Sequence, residues 1–252
     1  MSYHLAVRWD RRPETIVSCA SRFASMLERL ARVHPLLDDW RRQANTRAAA
    51  YKPFCAMPPR LDELASILER GRHFRSITGE LSPELGYSAS AWNGRDEPQS
   101  LSFMLDVGVY YQRRLYPNDV SLLGLRPGSE LIDPALLGRV LLTIAECWEA
   151  DWGVVETWGY TGLTLDENDK PLLPYGGWLT YLAPAMAAKI SPPAGVFAER
   201  RSGGGLFMRL STEPFDVANP VHVARSDLLQ RSLAPVQRTL ASVFYEADPQ
   251  AT

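Results

Sequence analysis

The chain has 252 residues, 46% of them hydrophobic and 22% charged, with a formal net charge of −2. Such a composition belongs to an ordered globular protein that can bury one large core or two small ones, and it excludes a disordered chain. No apolar run approaches the ~20 residues of a membrane span, the opening MSYHLAVRWDRRPET lacks the basic-then-apolar pattern of a secretory signal, and no basic tract offers a nucleic-acid footprint, so a cytoplasmic protein without membrane or direct nucleic-acid contact is expected.

Tyr3, Leu5, Val7 and Trp9 alternate with His4, Ala6 and Arg8, the period of a half-buried strand. Pro13 opens a helix in which Ile16, Cys19, Phe23, Met26, Leu27 and Leu30 recur at three and four residues, with Arg22, Arg29 and Arg32 mostly turned away. That helix should lie on a sheet. Residues 34–59 hold a weaker pattern around Trp40 and a short Ala-rich helix at 46–51, closed by Pro53, Pro58 and Pro59. Residues 61–72 read as a second long helix, with Asp62 and Glu63 in the first turn and Gly71 after Arg70, as the helix dipole prefers.

Segments 85–92 and 101–111 read as an antiparallel pair joined by NGRDEP, and 119–125 as a third strand. Asp133-Pro134, a cap followed by proline at the first helical position, starts a helix whose buried stripe is Leu137, Val140, Leu141, Ile144 and Trp148. Beyond it, 154–158 and 177–183 read as strands around TGLTLDENDKPLLPYG, and 196–200 with 206–210 as a hairpin across SGGG. Asn219-Pro220 opens a last helix that breaks near Pro235. Strands that cluster between helices, with no linker and no repeat, give an α+β fold: mostly antiparallel sheet flanked by helices, one domain over 1–252.

Residue types that do chemistry are present but not grouped. His4, His34, His73 and His222 never fall at metal-ligand spacing, and Cys19, Cys55 and Cys147 are scattered in apolar or helical context, as buried free thiols are. Ser202-Gly203-Gly204-Gly205 neither precedes Lys-Ser/Thr nor opens a helix, so it reads as a hairpin turn and not a phosphate loop. Glu149 and Asp151 would form an acid–base pair only inside a cleft, which a sequence does not display. A non-enzyme with no cofactor and no catalytic metal is expected.

The unusual stretch is 140–181, which holds four of the seven Trp residues. From 140 to 169 there are seven acids (Glu146, Glu149, Asp151, Glu156, Asp166, Glu167, Asp169) and no Lys or Arg, so this window carries −7 in a chain of −2. Glu146 and Glu149 sit at the negative end of their helix dipole, where each should cost about 0.3–1 kcal/mol and where Lys would help. Trp148 and Trp178 read as core; Trp152, Trp158 and the acids read as a contact surface.

The segments YGGWLTYLAP (175–184), GGGLFMRLSTEPFD (203–216) and NPVHVARSDLLQRSLAP (219–235) resemble immunity protein family 52 of bacterial polymorphic-toxin and type VI secretion systems, and the opening LAVRW strand with its helix is similar. The resemblance covers most of the chain through packing and turn motifs, and it carries over no functional residues. It implies a cytoplasmic α+β protein that binds and neutralises a cognate toxin, often one with a restriction-endonuclease fold. A nuclease needs a positive cleft for its substrate, and carboxylates with aromatics are suited to fill one. The expected toxin contacts are therefore Glu146, Glu149, Asp151, Trp152, Glu156, Trp158, Asp166, Glu167 and Asp169. The competing readings are a scaffold protein for another basic partner and an unrecognised hydrolase or transferase.

Overall fold

Tyr3–Trp9 (β1) lies at the centre of the fold rather than at its margin. The computed structural model describes residues 2–43, 46–74, 79–111, 116–157 and 172–239. After β1 come α1 (Ile16–Val33), β2 (Arg41–Arg42), α2 (Arg47–Ala50), α3 (Leu61–Arg70), β3 (Tyr87–Trp92), β4 (Ser102–Val107) and β5 (Asn118–Leu125). Then follow α4 (Pro134–Trp148), β6 (Trp152–Thr157), β7 (Leu172–Leu173), β8 (Leu179–Leu182), α5 (Pro184–Ala187), β9 (Phe197–Arg200), β10 (Leu206–Arg209), α6 (Pro220–Leu233) and β11 (Arg238–Thr239). Nine strands form one antiparallel sheet in the order β2-β3-β4-β5-β1-β6-β8-β10-β9, and β7 with β11 forms a separate ribbon. The fold is α+β, as the clustering of strands predicts.

β1 pairs with β5 on one side (Val7 opposite Val120) and with β6 on the other (Val7 opposite Gly153). A Cβ on Gly153 would lie 2.8 Å from Leu141 Cδ1 of α4, which identifies the face of the sheet that the helices cover. On that side Trp9 stacks on Trp148 with ring centroids 5.3 Å apart, and Phe23 of α1 meets the Phe103 ring of β4 edge-on. α1 begins at Ile16, with the Thr15 side chain accepting from the Ser18 N–H, and not at Pro13. Asp133 caps α4 through the Leu136 N–H, and Asn219 caps α6 through the Val221 N–H.

The alternation in β1 predicts a half-buried strand, but six of its seven residues are buried and only Arg8 is partly exposed. The second face is covered by residues 175–177 and α6. A Cβ on Gly176 would stand 2.4 Å from Leu229 Cδ2, and one on Gly177 would stand 2.4 Å from the Val155 carbonyl oxygen, so no side chain fits between these layers. Gln230 of α6 locks the contact by bonding both the N–H and the C=O of Gly176. Near Pro235, α6 passes into the short 3-10 turn Ala234–Val236. Among the described residues, no helix is long and apolar enough to cross a membrane.

Candidate functional site

The C-terminal end of α4 is built differently from what its acids imply in sequence. Glu149 follows the helix in the left-handed conformation (φ 47°, ψ 48°), a position that glycine occupies more cheaply by about 1 kcal/mol. Two arginines hold it there. Arg12 Nη1 lies 3.4 Å and Arg22 Nη2 2.9 Å from Glu149 Oε2. The same two guanidinium groups reach the orphan carbonyls of the last helical turn: Arg12 donates to Trp148 O at 2.7 Å and Arg22 to Cys147 O at 3.1 Å. One turn back, Arg29 pairs with Glu146 at 2.5 Å. Glu14, 6% exposed at its side chain, accepts from both Arg12 and Arg22 and aligns them.

This corner therefore holds three carboxylates (Glu14, Glu146, Glu149) and three guanidinium groups (Arg12, Arg22, Arg29). The acids that look misplaced on the helix dipole are accompanied by cations that cap the helix, so the dipole penalty is removed within the chain. Arg22, first by its hydrogen bond and then by its charge, holds the Glu149 carboxyl below the usual carboxylate range. Glu149 remains 65% exposed at its side chain and Glu146 45%, so both stay readable from outside.

Asp151 is partly buried and accepts the Asp10 N–H at 2.7 Å. Burial raises its pKa most, the Asp10 N–H works against that rise, and the Asp10 charge adds to it. Asp10 in turn meets Arg238 at 3.3 Å, and Arg238 donates to Tyr116 Oη at 2.8 Å. The last described strand is thus tied to the end of the first.

Two expected contact residues prove to be interior. Trp152 is fully buried between Tyr116 and Tyr175, with the Arg8 guanidinium 5.4 Å above its ring. Glu156 is 3% exposed; Tyr175 Oη donates to its Oε1, and His4 Nε2 lies 2.8 Å from the same oxygen. Trp152 and Glu156 belong to β6, a strand covered on both faces, and so cannot meet a partner as placed. Burial beside Glu156 pushes the Tyr175 hydroxyl well above its ordinary range. Trp158, Asp166, Glu167 and Asp169 lie outside the described residues.

Arg12, Arg22 and Arg29 do not stand out in the sequence, because they lie far from the acids that they meet. Arg22 and Arg29 stand seven residues apart on α1, two helical turns, and so share one stripe. That stripe leans on the end of α4 while staying partly exposed. The seven-residue spacing is the signal that points to it, because a row of cations beside an acidic helix end has a partner at hand.

The chain matches the immunity protein 52 family over residues 1–237. It belongs to that family. Among the described residues, the match takes in every helix and the whole nine-stranded sheet, so the Glu146–Glu149–Asp151 corner is part of an immunity protein 52 chain. Among solved structures, the Pseudomonas aeruginosa T6SS protein PA0821 is similar at 16% identity, with a TM-score of 0.53 over 92% of this chain and 72% of that one. A likeness at that identity shows the shared fold. No curated protein matches the chain.

Proposed function

We propose that this immunity protein 52 member binds a cognate secreted toxin and holds it inactive as a stoichiometric protein–protein complex. The observation that carries the reading is the family match over residues 1–237. The toxin we assign is a nuclease of restriction-endonuclease fold delivered by type VI secretion, and the immunity protein meets it in the cytoplasm without catalysing a reaction. The toxin-facing surface is the corner of exposed Glu146 and Glu149 and partly buried Asp151, together with Trp158, Asp166, Glu167 and Asp169. Carboxylates there suit the basic cleft of a nuclease, where they would take the place of phosphates and speed encounter.

Pairing with Arg12, Arg22 and Arg29 means that this corner offers alternating charge, not a bare acidic patch. A partner that inserts a Lys or Arg beside Glu149 shares the carboxylate with Arg22, and one that inserts an acid finds Arg12 and Arg29 within reach. Alternating charge of this kind favours one complementary partner over a generic basic surface.

The test is co-expression with the product of the adjacent toxin gene. Growth restored by this chain, with purified toxin recovered as a complex that no longer cuts DNA or RNA, is the expected result. A toxin whose nuclease activity persists in an intact complex would remove the nuclease-inhibition reading. Failure of the two proteins to associate would remove toxin binding altogether.

A further inference from the structure

The two edges of the nine-stranded sheet are finished differently. At the β2 edge the chain covers itself: Arg42 N–H donates to Lys52 O at 3.1 Å, Phe54 N–H donates to Trp40 O at 2.7 Å, and Pro53 bridges Arg41. At the other edge β9 pairs only with β10 among the described residues, and all four of its residues are exposed.

The phase of β9 follows from its hairpin. Arg201 N–H donates to Gly205 O at 2.8 Å and Gly204 N–H to Arg201 O at 2.8 Å, with Gly204 at φ +86°. From that start, Glu199 opposite Phe207 and Phe197 opposite Arg209 are the hydrogen-bonded pairs. The N–H and C=O of Ala198 and Arg200 then point away from the sheet. Side chains fold back rather than across this edge: Arg200 reaches Ala187 O at 3.4 Å, Arg201 pairs with Glu199 at 2.5 Å, and Arg209 lies 4.8 Å over the Phe197 ring. Phe197 is still 47% exposed beside the open backbone.

We propose that the β9 edge accepts an extended acidic segment of the bound toxin as an added antiparallel strand; that the partner is a toxin rests on the function proposed above. Charge selects this occupant. Residues 189–209 carry a net +3, with Lys189, Arg200, Arg201 and Arg209 against Glu199. A second copy would bring the same cations to the same edge, which is how natural edges resist self-pairing, whereas an acidic strand is drawn to them. The edge also lies within one footprint of the corner. Arg200, Leu206, Leu182 and Trp152 form one row across β9, β10, β8 and β6. Three strand spacings, about 14 Å, thus separate Arg200 from the residue that follows Asp151, less than the span of an ordinary interface.

Hydrogen exchange on the free protein and on its complex with the adjacent gene's toxin reads the proposal without mutation. Slowed exchange at the Ala198 and Arg200 amides, with Glu199 already protected in the free protein, is expected. Ala198→Pro removes an outward N–H that β10 does not use, at an edge position where proline is tolerated. It should keep the wild-type melting temperature and weaken toxin binding about tenfold, the loss of one backbone hydrogen bond from a desolvated interface. Arg200→Glu should weaken binding as well. Toxin binding by the wild type with both amides still exchanging freely would overturn the added strand while leaving the proposed function standing. A wild-type dimer that Ala198→Pro abolishes would give the edge to a second copy instead.

Discussion

Arg22 donates through Nη2 to the Glu149 carboxylate at 2.9 Å and through Nη1 to the Cys147 carbonyl at 3.1 Å, so one guanidinium both caps α4 and neutralises the acid beyond its end. The helix dipole taken alone predicts that lysine at position 149 would stabilise the chain. With Arg12 and Arg22 beside it, Glu149→Lys instead assembles three cations, and the melting temperature should fall by a few degrees, corresponding to about 1 kcal/mol. Glu149→Gln should cost less than ~1 kcal/mol, because the pair is largely exposed. A Glu149 pKa held down in the folded state stabilises above the unfolded carboxylate value, and that contribution is lost as pH falls through the folded one. Thermal melts of Glu149→Gln and wild type should therefore differ at pH 7 and converge only once the pH falls below the lowered folded value.

Asp151 has the opposite sign. Its raised pKa means that folding favours the neutral carboxyl, so its contribution is present below the unfolded value and is lost as pH rises through the folded one. Asp151→Asn keeps an oxygen for the Asp10 N–H and removes the penalised charge. We expect the variant to melt higher than wild type at pH 7 and level with it under acid conditions. A lower melting temperature at neutral pH would show that the ionised carboxylate earns its place through Arg238.

Glu156 should behave as a core residue. Glu156→Ala leaves the Tyr175 hydroxyl and the His4 Nε2 facing a void, which costs about 2–4 kcal/mol and several degrees of melting temperature. Toxin affinity of the fraction that remains folded should be unchanged. Reduced affinity with wild-type stability would return Glu156 to the contact surface.

The strand order also predicts how the chain comes apart. β1 sits between β5 and β6, so a cut that separates the N-terminal half from the C-terminal half splits the sheet at its centre, between β1 and β6. Limited proteolysis should yield no pair of separately stable halves, and calorimetry should show one transition. Two resolved transitions would argue for two domains.

Much of the fold is legible in the sequence because it is written locally. Asp133 and Asn219 announce two helix starts, Pro13 announces a third that comes only at Ile16, and the period-two stretches at Tyr87–Trp92 and Ser102–Val107 and the SGGG turn announce their strands. What is not legible is long-range. Nothing within Trp152–Thr157 says that Gly176 and Gly177 bring α6 and a second layer against that strand, and so Trp152 and Glu156 look like surface. Likewise, a count of charge along 140–169 omits Arg12, Arg22 and Arg29, which return to Glu146 and Glu149 from more than a hundred residues away. Sequence proximity overstates an acidic patch whenever its counterions come from another element.

Titration calorimetry of the adjacent gene's toxin against wild type and the double variant Glu149→Gln, Asp151→Asn tests the toxin-binding corner most directly. The substitutions are nearly isosteric and remove one exposed and one partly buried charge, so the double variant should stay folded, bind at least ~10-fold more weakly, and show a shallower dependence of affinity on salt. One-to-one binding with wild-type affinity and wild-type salt dependence in the folded double variant would contradict it.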